Sequence, residues 1–320
     1  MSQLGKLACL AFVSPLLSWS QAVPPTGTPA EFVVTVGHFY SKTPPTLRRD
    51  DLVVTQRFAP VEVTNLVPLR GDRASLELFV LVDNCSNCEA GSKFEELRRF
   101  IDSQPSTTAI GVAYIDGGRL KVAQTPTPDR DRAVKALSAP AGSSPSSPFG
   151  ALRELIQGWP RGASQRAVLL ISNGIDPAAD SVYQSPSAEA ALEAAQRGGI
   201  TVYAIYHPSA DYLKSDFSKL YSGQVELSHV ADETGGEAYF LGFGPLPSLA
   251  PLLADLADHL ANRYLVQFLA QPEDGPGGLQ EVIVKSKIPE LDLVAPDRVW
   301  IPGRQSGPSG TNDPSKAKRP

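Results

Sequence analysis

Three side chains that can take part in chemistry follow one apolar segment of this sequence. Residues 76–82 are almost entirely apolar, Asp83 comes directly after them, and Cys85 and Cys88 follow within five residues. A carboxylate at the carboxyl end of a strand lies where an open α/β sheet binds ligands. A thiolate at the start of a helix gains from the helix dipole, as in Cys-x-x-Cys redox pairs. The segment therefore favours either a metal site or a thiol pair.

The sequence allows three chemical states of the cysteine pair. Cys85 and Cys88 form a structural disulfide, stay as thiols, or act as a catalytic dithiol. The tryptophan, glycine and proline of a thioredoxin-type motif are missing, and Asp83 and Glu89 oppose a nearby thiolate. We therefore predict a disulfide between Cys85 and Cys88, and a thiol-disulfide oxidoreductase is the alternative function.

Other residues that could support catalysis lack partners at a suitable spacing. The histidines, His38, His207, His229 and His259, are scattered, and the last two fall in predicted helices, where we expect solvated or capping roles. The sequence contains no Gly-x-Ser-x-Gly elbow and no Walker loop. These patterns predict a protein that is not an enzyme, with no catalytic residue and no bound organic cofactor.

The elements that would position Asp83 alternate between strand and helix from residue 75 to residue 262. The predicted strands are 76–82, 109–115, 120–123, 167–172, 201–206 and 237–241. The predicted helices are 92–103, 130–137, 149–159, 187–197, 225–234 and 249–262. Three of the strands are nearly unbroken apolar runs, as expected for strands covered on both faces. The pattern predicts an α/β fold with a doubly wound, mostly parallel sheet.

Other patterns border this α/β domain. We predict a signal peptide over residues 1–22, a linker and N-terminal β module over 23–74, C-terminal β strands over 263–302 and a disordered tail over 303–320. Short β-type runs separated by turn signals support the two β segments, which we expect to pair beside the α/β domain. The tail is rich in glycine, serine, proline and lysine.

The N-terminus and the charge indicate where the protein acts and on what. Lys6, an apolar run and a small-residue site at Ala22 are typical of an export signal. The apolar run is too short for a membrane span, which predicts a periplasmic or secreted protein without a transmembrane span in its mature chain. The net charge of −5 disfavours nucleic acid as a partner, because phosphate binding needs a basic face.

The order of three motifs resembles the von Willebrand factor type A family, and in particular exported bacterial proteins related to it. The motifs are the strand ending at Asp83, the Ser-Ser-Pro-Phe-Gly-Ala-Leu segment that begins at Ser146, and the strand followed by Asn173 and Gly174. The likeness covers roughly residues 30–302. It implies an α/β domain flanked by β segments from both ends, and a role in adhesion or assembly.

The resemblance also implies a metal-ion-dependent adhesion site. In the family, the first strand ends in Asp-x-Ser-x-Ser, a later loop supplies a threonine, and a central strand ends in Asp-Gly. In this chain the matching positions are Asp83, Cys85, Asn87, Ser146 or Ser147, and Asn173. A thiol is a poor ligand for Mg²⁺, and the asparagines bring no charge. The resemblance therefore implies a degenerate site, with Mg²⁺ or Mn²⁺ as the alternative to no metal and Asp176 as a substitute ligand.

The sequence as a whole predicts an exported, non-catalytic module that binds a protein partner. We expect the partner to contact loops 84–90, 143–149 and 173–186, and the segment from Tyr212 to Tyr221, because loops on a rigid scaffold commonly carry binding sites.

Overall fold

The computed structural model describes residues 27–37, 45–83, 93–138, 146–162, 164–176, 185–208, 217–242 and 247–304. The predicted signal peptide, the loop with Cys85, Asn87 and Cys88, and the tail after Arg304 lie outside the described residues.

The central part of the chain alternates strands and helices. The strands are β4 (Leu76–Asp83), β5 (Thr108–Asp116), β6 (Arg119–Thr127), β7 (Gln165–Ser172), β8 (Ile200–Tyr206) and β9 (Ala238–Tyr239). The helices are α1 (Phe94–Ser103), α2 (Arg130–Ala136), α3 (Pro148–Gly158), α4 (Pro186–Gly198), α5 (Phe217–Glu233) and α6 (Ala250–Ala261). The predicted α/β class is confirmed.

These strands form one six-stranded sheet in the order β6-β5-β4-β7-β8-β9. β4, β5, β7, β8 and β9 run parallel, and β6 pairs antiparallel with β5. Along β4, Leu78 and Val80 pack into the core on one face of the sheet, and Phe79 and Leu81 pack into the core on the other. Burial of alternate residues on two faces explains why the strand is apolar throughout.

Strands from the two ends of the chain share a second, seven-stranded sheet. Its strands are β1 (Thr28–Val36), β2 (Leu52–Gln56), β3 (Ala59–Pro68), β10 (Arg263–Ala270), β11 (Gly277–Ser286), β12 (Leu293–Val294) and β13 (Arg298–Pro302). The order is β12-β1-β10-β3-β2-β11-β13, and every pairing is antiparallel. The sheet has its own core, in which Phe32 packs edge-on against Phe268.

The largest difference from the predicted elements is in α5. The sequence predicts a helix over 225–234, whereas the structure begins it at Phe217. The segment from Tyr212 to Tyr221 is therefore not all loop, because its last five residues are helical. The helix continues through Gly223, a residue that weakens helices locally. Burial of Leu220, Gly223 and Leu227 against the α/β domain stabilises this part of the helix.

Candidate functional site

Asp83 lies at the centre of a hydrogen-bonded group at the carboxyl edge of the α/β sheet, which is the edge where β4, β7 and β8 end. The Asp83 side chain is only 2% exposed. The Ser146 and Ser172 hydroxyls each donate to Asp83 Oδ2, both at 2.6 Å. The carboxylate thus joins the ends of β4 and β7 to the residues before α3.

The environment of Asp83 disfavours its charged form. Burial raises the pKa of Asp83 to about 6, and the hydrogen bonds from Ser146 and Ser172 act in the opposite direction. Asp83 Oδ1 is buried and has no hydrogen-bond partner among the described residues. This oxygen therefore carries part of the carboxylate charge without a hydrogen bond from the described residues.

The structure brings Ser146, rather than Ser147, to Asp83. Ser147 is the N-cap residue of α3, and its side chain makes no capping hydrogen bond. Pro148 occupies the first turn of the helix, where a missing N–H costs nothing. The start of α3 therefore fixes which of the two serines faces the carboxylate.

Asn173 is buried close to the same edge, but its side chain bonds within its own loop. Asn173 Oδ1 accepts a hydrogen bond from the Ile175 backbone N–H at 2.9 Å. The next acidic residue, Asp176, accepts a hydrogen bond from the Ser187 hydroxyl at the start of α4. Neither oxygen is hydrogen-bonded to the Asp83 group among the described residues.

Ser172 was missed by the sequence analysis, although the strand register contains the signal. In the parallel pairing of β4 with β7, Val82 lies opposite Ile171. The next residues along both strands are Asp83 and Ser172, so they are neighbours at the edge. The Ser172 hydroxyl also accepts a hydrogen bond from the Gly174 N–H at 3.0 Å. It thereby orders the turn that follows β7.

Helix α5 touches the loop after β7 through two glycines. A Cβ added to Gly174 would lie 2.2 Å from the Gly223 carbonyl oxygen, and one added to Gly223 would lie 2.2 Å from the Asn173 carbonyl oxygen. Gly174 also has a φ of 68°, in the left-handed region that favours glycine. The backbone of α5 therefore packs directly on the loop beside the Asp83 group.

The opposite side of α5 carries a row of exposed apolar side chains. Phe217, Tyr221 and Val225 are 61%, 54% and 38% exposed. Their spacing of four residues aligns them along one face of the helix. We call these three residues the α5 stripe.

A second group of titratable side chains lies between α6 and β9, away from Asp83. His259 Nδ1 is 3.2 Å from Glu237 Oε2, and His259 Nε2 is 3.9 Å from Asp255 Oδ2. His259 is buried, so the expected solvated role is wrong, whereas its place in the last turn of α6 fits the alternative of a role at the helix end. Its ring lies against two carboxylates. Burial raises the pKa of Glu237, and His259 acts in the opposite direction. Oxygen and imidazole ligands of this kind suit a transition metal.

The donors around Asp83 suit a hard cation only in part. Asp83 Oδ1 and the Ser146 hydroxyl oxygen are the described atoms that Mg²⁺ or Mn²⁺ would meet. Mg²⁺ is held by hard oxygen ligands, commonly carboxylates, and requires near-octahedral geometry. Here one carboxylate supplies the charge and the Asn173 oxygen is engaged by the backbone. The predicted ligand Asn87 and the predicted Cys85–Cys88 disulfide lie outside the described residues, so both stay predictions.

Among the described residues, no helix combines the length and the apolar character that crossing a bilayer requires.

Comparisons with known proteins found no matching protein-family model and no matching curated protein. An aerotolerance-related membrane protein from Bacteroides fragilis is 16% identical over 58% of this chain and 98% of its own, with a TM-score of 0.42. The vWF domain of the type V pili tip protein Mfa5 from Porphyromonas gingivalis is 11% identical over 62% of this chain and 95% of its own, with a TM-score of 0.42.

Proximal thread matrix protein 1 from the mussel byssus, a structure with a zinc-occupied MIDAS motif, is 15% identical over 63% of this chain and 48% of its own. Its TM-score is 0.43. At these values the likenesses concern the fold and carry no conclusion about metal, partner or activity. The architecture of this chain itself is the one the resemblance implies: an α/β domain with Asp83 at the end of its first strand and β segments from both ends beside it. In this order of elements the α/β domain is similar to the von Willebrand factor type A family.

Proposed function

We propose that this protein is a non-catalytic, exported protein-interaction module that binds its partner through the α5 stripe and the adjoining carboxyl edge of the sheet. The proposal includes a doubly wound arrangement of the α/β domain over residues 75–262, a degenerate metal-ion-dependent adhesion site, and the predicted boundaries of the flanking segments.

The observation that carries this proposal is the α5 stripe. Large apolar side chains that stay exposed in a row form a contiguous patch, and such patches commonly mark interaction sites. Aromatic residues are enriched at protein interfaces, since they bury a large area and lose little rotamer freedom. Phe217 and Tyr221 lie in the first turns of α5, which enters the domain from the carboxyl edge.

The Asp83 group supports a binding role for this edge because it holds the edge rigid. Each serine hydroxyl donates a hydrogen bond to the buried Asp83 carboxylate. The same bonds tie β4, β7 and the start of α3 together. A rigid edge lowers the entropic cost of binding a partner, because fewer groups have to be ordered.

A weak metal site is consistent with this role. One buried carboxylate oxygen and one hydroxyl would contact a cation, and a bound cation would supply an open position for a partner's carboxylate. With one negative charge among the ligands, we expect the affinity for Mg²⁺ or Mn²⁺ to be low. Binding of the partner through the α5 stripe then does not require a metal.

The test compares two variants as bait against extract of the cell envelope. Tyr221→Ser with Val225→Ser removes two of the three exposed side chains of the stripe, keeps Phe217 and leaves the buried face of α5 unchanged. Phe58→Ser is the matched control, since Phe58 is 79% exposed in a turn of the other sheet. We expect one protein to be captured by the unchanged chain and by Phe58→Ser, and to be lost with the double variant. Equal capture by all three chains would contradict the proposal.

A further inference from the structure

A cleft lined by arginines lies between the two sheets, at the opposite edge of the α/β sheet from Asp83. It encloses about 270 Å³, and its walls include the first residues of β7 and β8 together with parts of β1 and β13. β7 has eight residues, so the two edges are about 23 Å apart at 3.3 Å per residue. Four arginines are among the residues that line the cleft, namely Arg161, Arg166, Arg197 and Arg298.

Two of these guanidinium groups are held in place by the protein. Arg166 donates to the Gly198 carbonyl at 2.5 Å and to the Trp159 carbonyl at 3.4 Å. Arg197 pairs with Glu193 at 2.7 Å and lies 4.8 Å from the centre of the Trp300 ring. A guanidinium group that is already stacked and oriented loses little freedom when it binds an anion.

The other two arginines leave positive charge in the cleft without a partner. Within the described ranges, Arg161 and Arg298 form no ion pair. Burial lowers the pKa of Arg166, the charge of Arg161 lowers it further, and the carboxylate of Glu77 acts in the opposite direction. Glu31 is the one carboxylate that lines the cleft, and it accepts a hydrogen bond from Gln267 at 3.1 Å. This clustering of cations is unusual in a chain of net charge −5.

We propose that this cleft binds an acidic segment of a protein, with a carboxylate between the arginines and a neighbouring apolar side chain against Trp300. The planar guanidinium fork matches the two oxygens of a carboxylate. The lining is mixed: polar residues such as Gln165 and Thr201 lie beside Ile200, Leu265 and Val299, and the apolar part suits an acidic residue beside an apolar one better than a bare inorganic anion. The site is separate from the α5 stripe, so it stands without the function proposed above.

Tryptophan fluorescence can test the cleft, because Trp300 lines it. The probe is a terminally blocked tetrapeptide of alternating glutamate and leucine, titrated into the full chain at low salt. Its analogue with glutamine for glutamate has the same shape without charge, and inorganic phosphate is a third titrant. We expect saturable quenching by the glutamate peptide that weakens as salt rises, and at least tenfold weaker binding of the glutamine analogue.

Arginine variants assign any binding to the cleft. The two variants are Arg161→Gln, in a loop, and Arg298→Gln, in β13. Each should weaken binding of the glutamate peptide about tenfold, which corresponds to the loss of one charge-assisted hydrogen bond. Arg119→Gln, an exposed charge on β6, is the control and should have no effect. Equal binding of the two peptides, no saturable signal, or an equal effect of Arg119→Gln would overturn the proposal. Phosphate that binds as tightly as the peptide would overturn it too, in favour of a small-anion site.

Discussion

The Ser172 hydroxyl donates a 2.6 Å hydrogen bond to Asp83 Oδ2 and joins the ends of two adjacent parallel strands. The same hydroxyl accepts the Gly174 N–H, so one serine orders both the carboxylate and the turn after β7. These hydrogen bonds link Asp83 to the packing of α5, because Gly174 is also in close contact with Gly223 of α5.

Replacing Ser172 tests this link. Ser172→Ala removes the hydrogen bond to Asp83 and leaves the buried Gly174 N–H without its acceptor. We expect the free energy of unfolding to fall by about 2 to 3 kcal/mol, as for the loss of a hydrogen bond to a charged group. Ser147→Ala is the control, since the Ser147 side chain makes no capping hydrogen bond, and it should cost less than about 0.5 kcal/mol. Urea unfolding measures both; equal losses would contradict the role of Ser172.

The raised pKa of Asp83 predicts a pH dependence of stability. Because the pKa of Asp83 is about 6 in the folded chain and 3.8 in an unfolded one, the folded chain binds more protons between these pH values than the unfolded chain does. The stabilisation is fully present below pH 3.8 and is lost as the pH rises through 6. The difference in unfolding free energy between the unchanged chain and Asp83→Asn should therefore fall by about 3 kcal/mol from acid to neutral pH.

Urea unfolding at a series of pH values measures this difference. Asp50→Asn, which removes an exposed carboxylate, serves as the control for changes in net charge. A difference for Asp83→Asn that rises with pH would contradict the assigned direction of the pKa.

The contact between α5 and the loop after β7 predicts the effect of a single methyl group. Gly174→Ala places a Cβ against the Gly223 carbonyl and also strains a left-handed backbone. Gly117→Ala strains a similar backbone, with a φ of 61°, and has nothing within 4 Å of its Cβ. We expect about 1 kcal/mol of destabilisation for Gly117→Ala and about 3 kcal/mol or more for Gly174→Ala. Equal melting temperatures of the two variants would mean that α5 does not pack on this loop.

Divalent cations test the degenerate site. We expect the melting temperature in millimolar Mg²⁺ or Mn²⁺ to lie within about 1 °C of its value in chelator, because one carboxylate binds these ions weakly. A clear rise that disappears in Asp83→Asn would contradict this expectation and would make a metal-dependent partner the better account. A rise with Zn²⁺ that disappears in His259→Gln would instead belong to the group of Glu237, Asp255 and His259.

The sequence predicts the position of Asp83 because an apolar strand followed by a carboxylate is a local pattern. The choice between Ser146 and Ser147 is different, because it depends on where α3 begins. The contact between Ser172 and Asp83 depends on the register between β4 and β7, and the sequence of neither strand alone contains that register.

The early start of α5 is likewise a result of tertiary packing. Ser222 and Gly223 locally favour a turn, yet both are helical in the structure. Gly223 packs against the Asn173 carbonyl, where only a residue without a side chain fits. The position of His259 also depends on a distant residue, since Glu237 lies before β9 whereas Asp255 and His259 are both on α6. Local patterns therefore predict the layers and the central carboxylate, and the contacts between elements determine the rest.

The most direct test of the proposed function is site-specific crosslinking in cells that produce the protein. A photoreactive phenylalanine analogue is introduced at Tyr221 and, in a separate chain, at Phe58. Both side chains are exposed aromatics, Tyr221 on α5 and Phe58 in the turn between β2 and β3. If the α5 stripe binds the partner, crosslinking from position 221 gives a discrete adduct of higher mass and crosslinking from position 58 gives none. No adduct at position 221, or the same adduct at both positions, would contradict it.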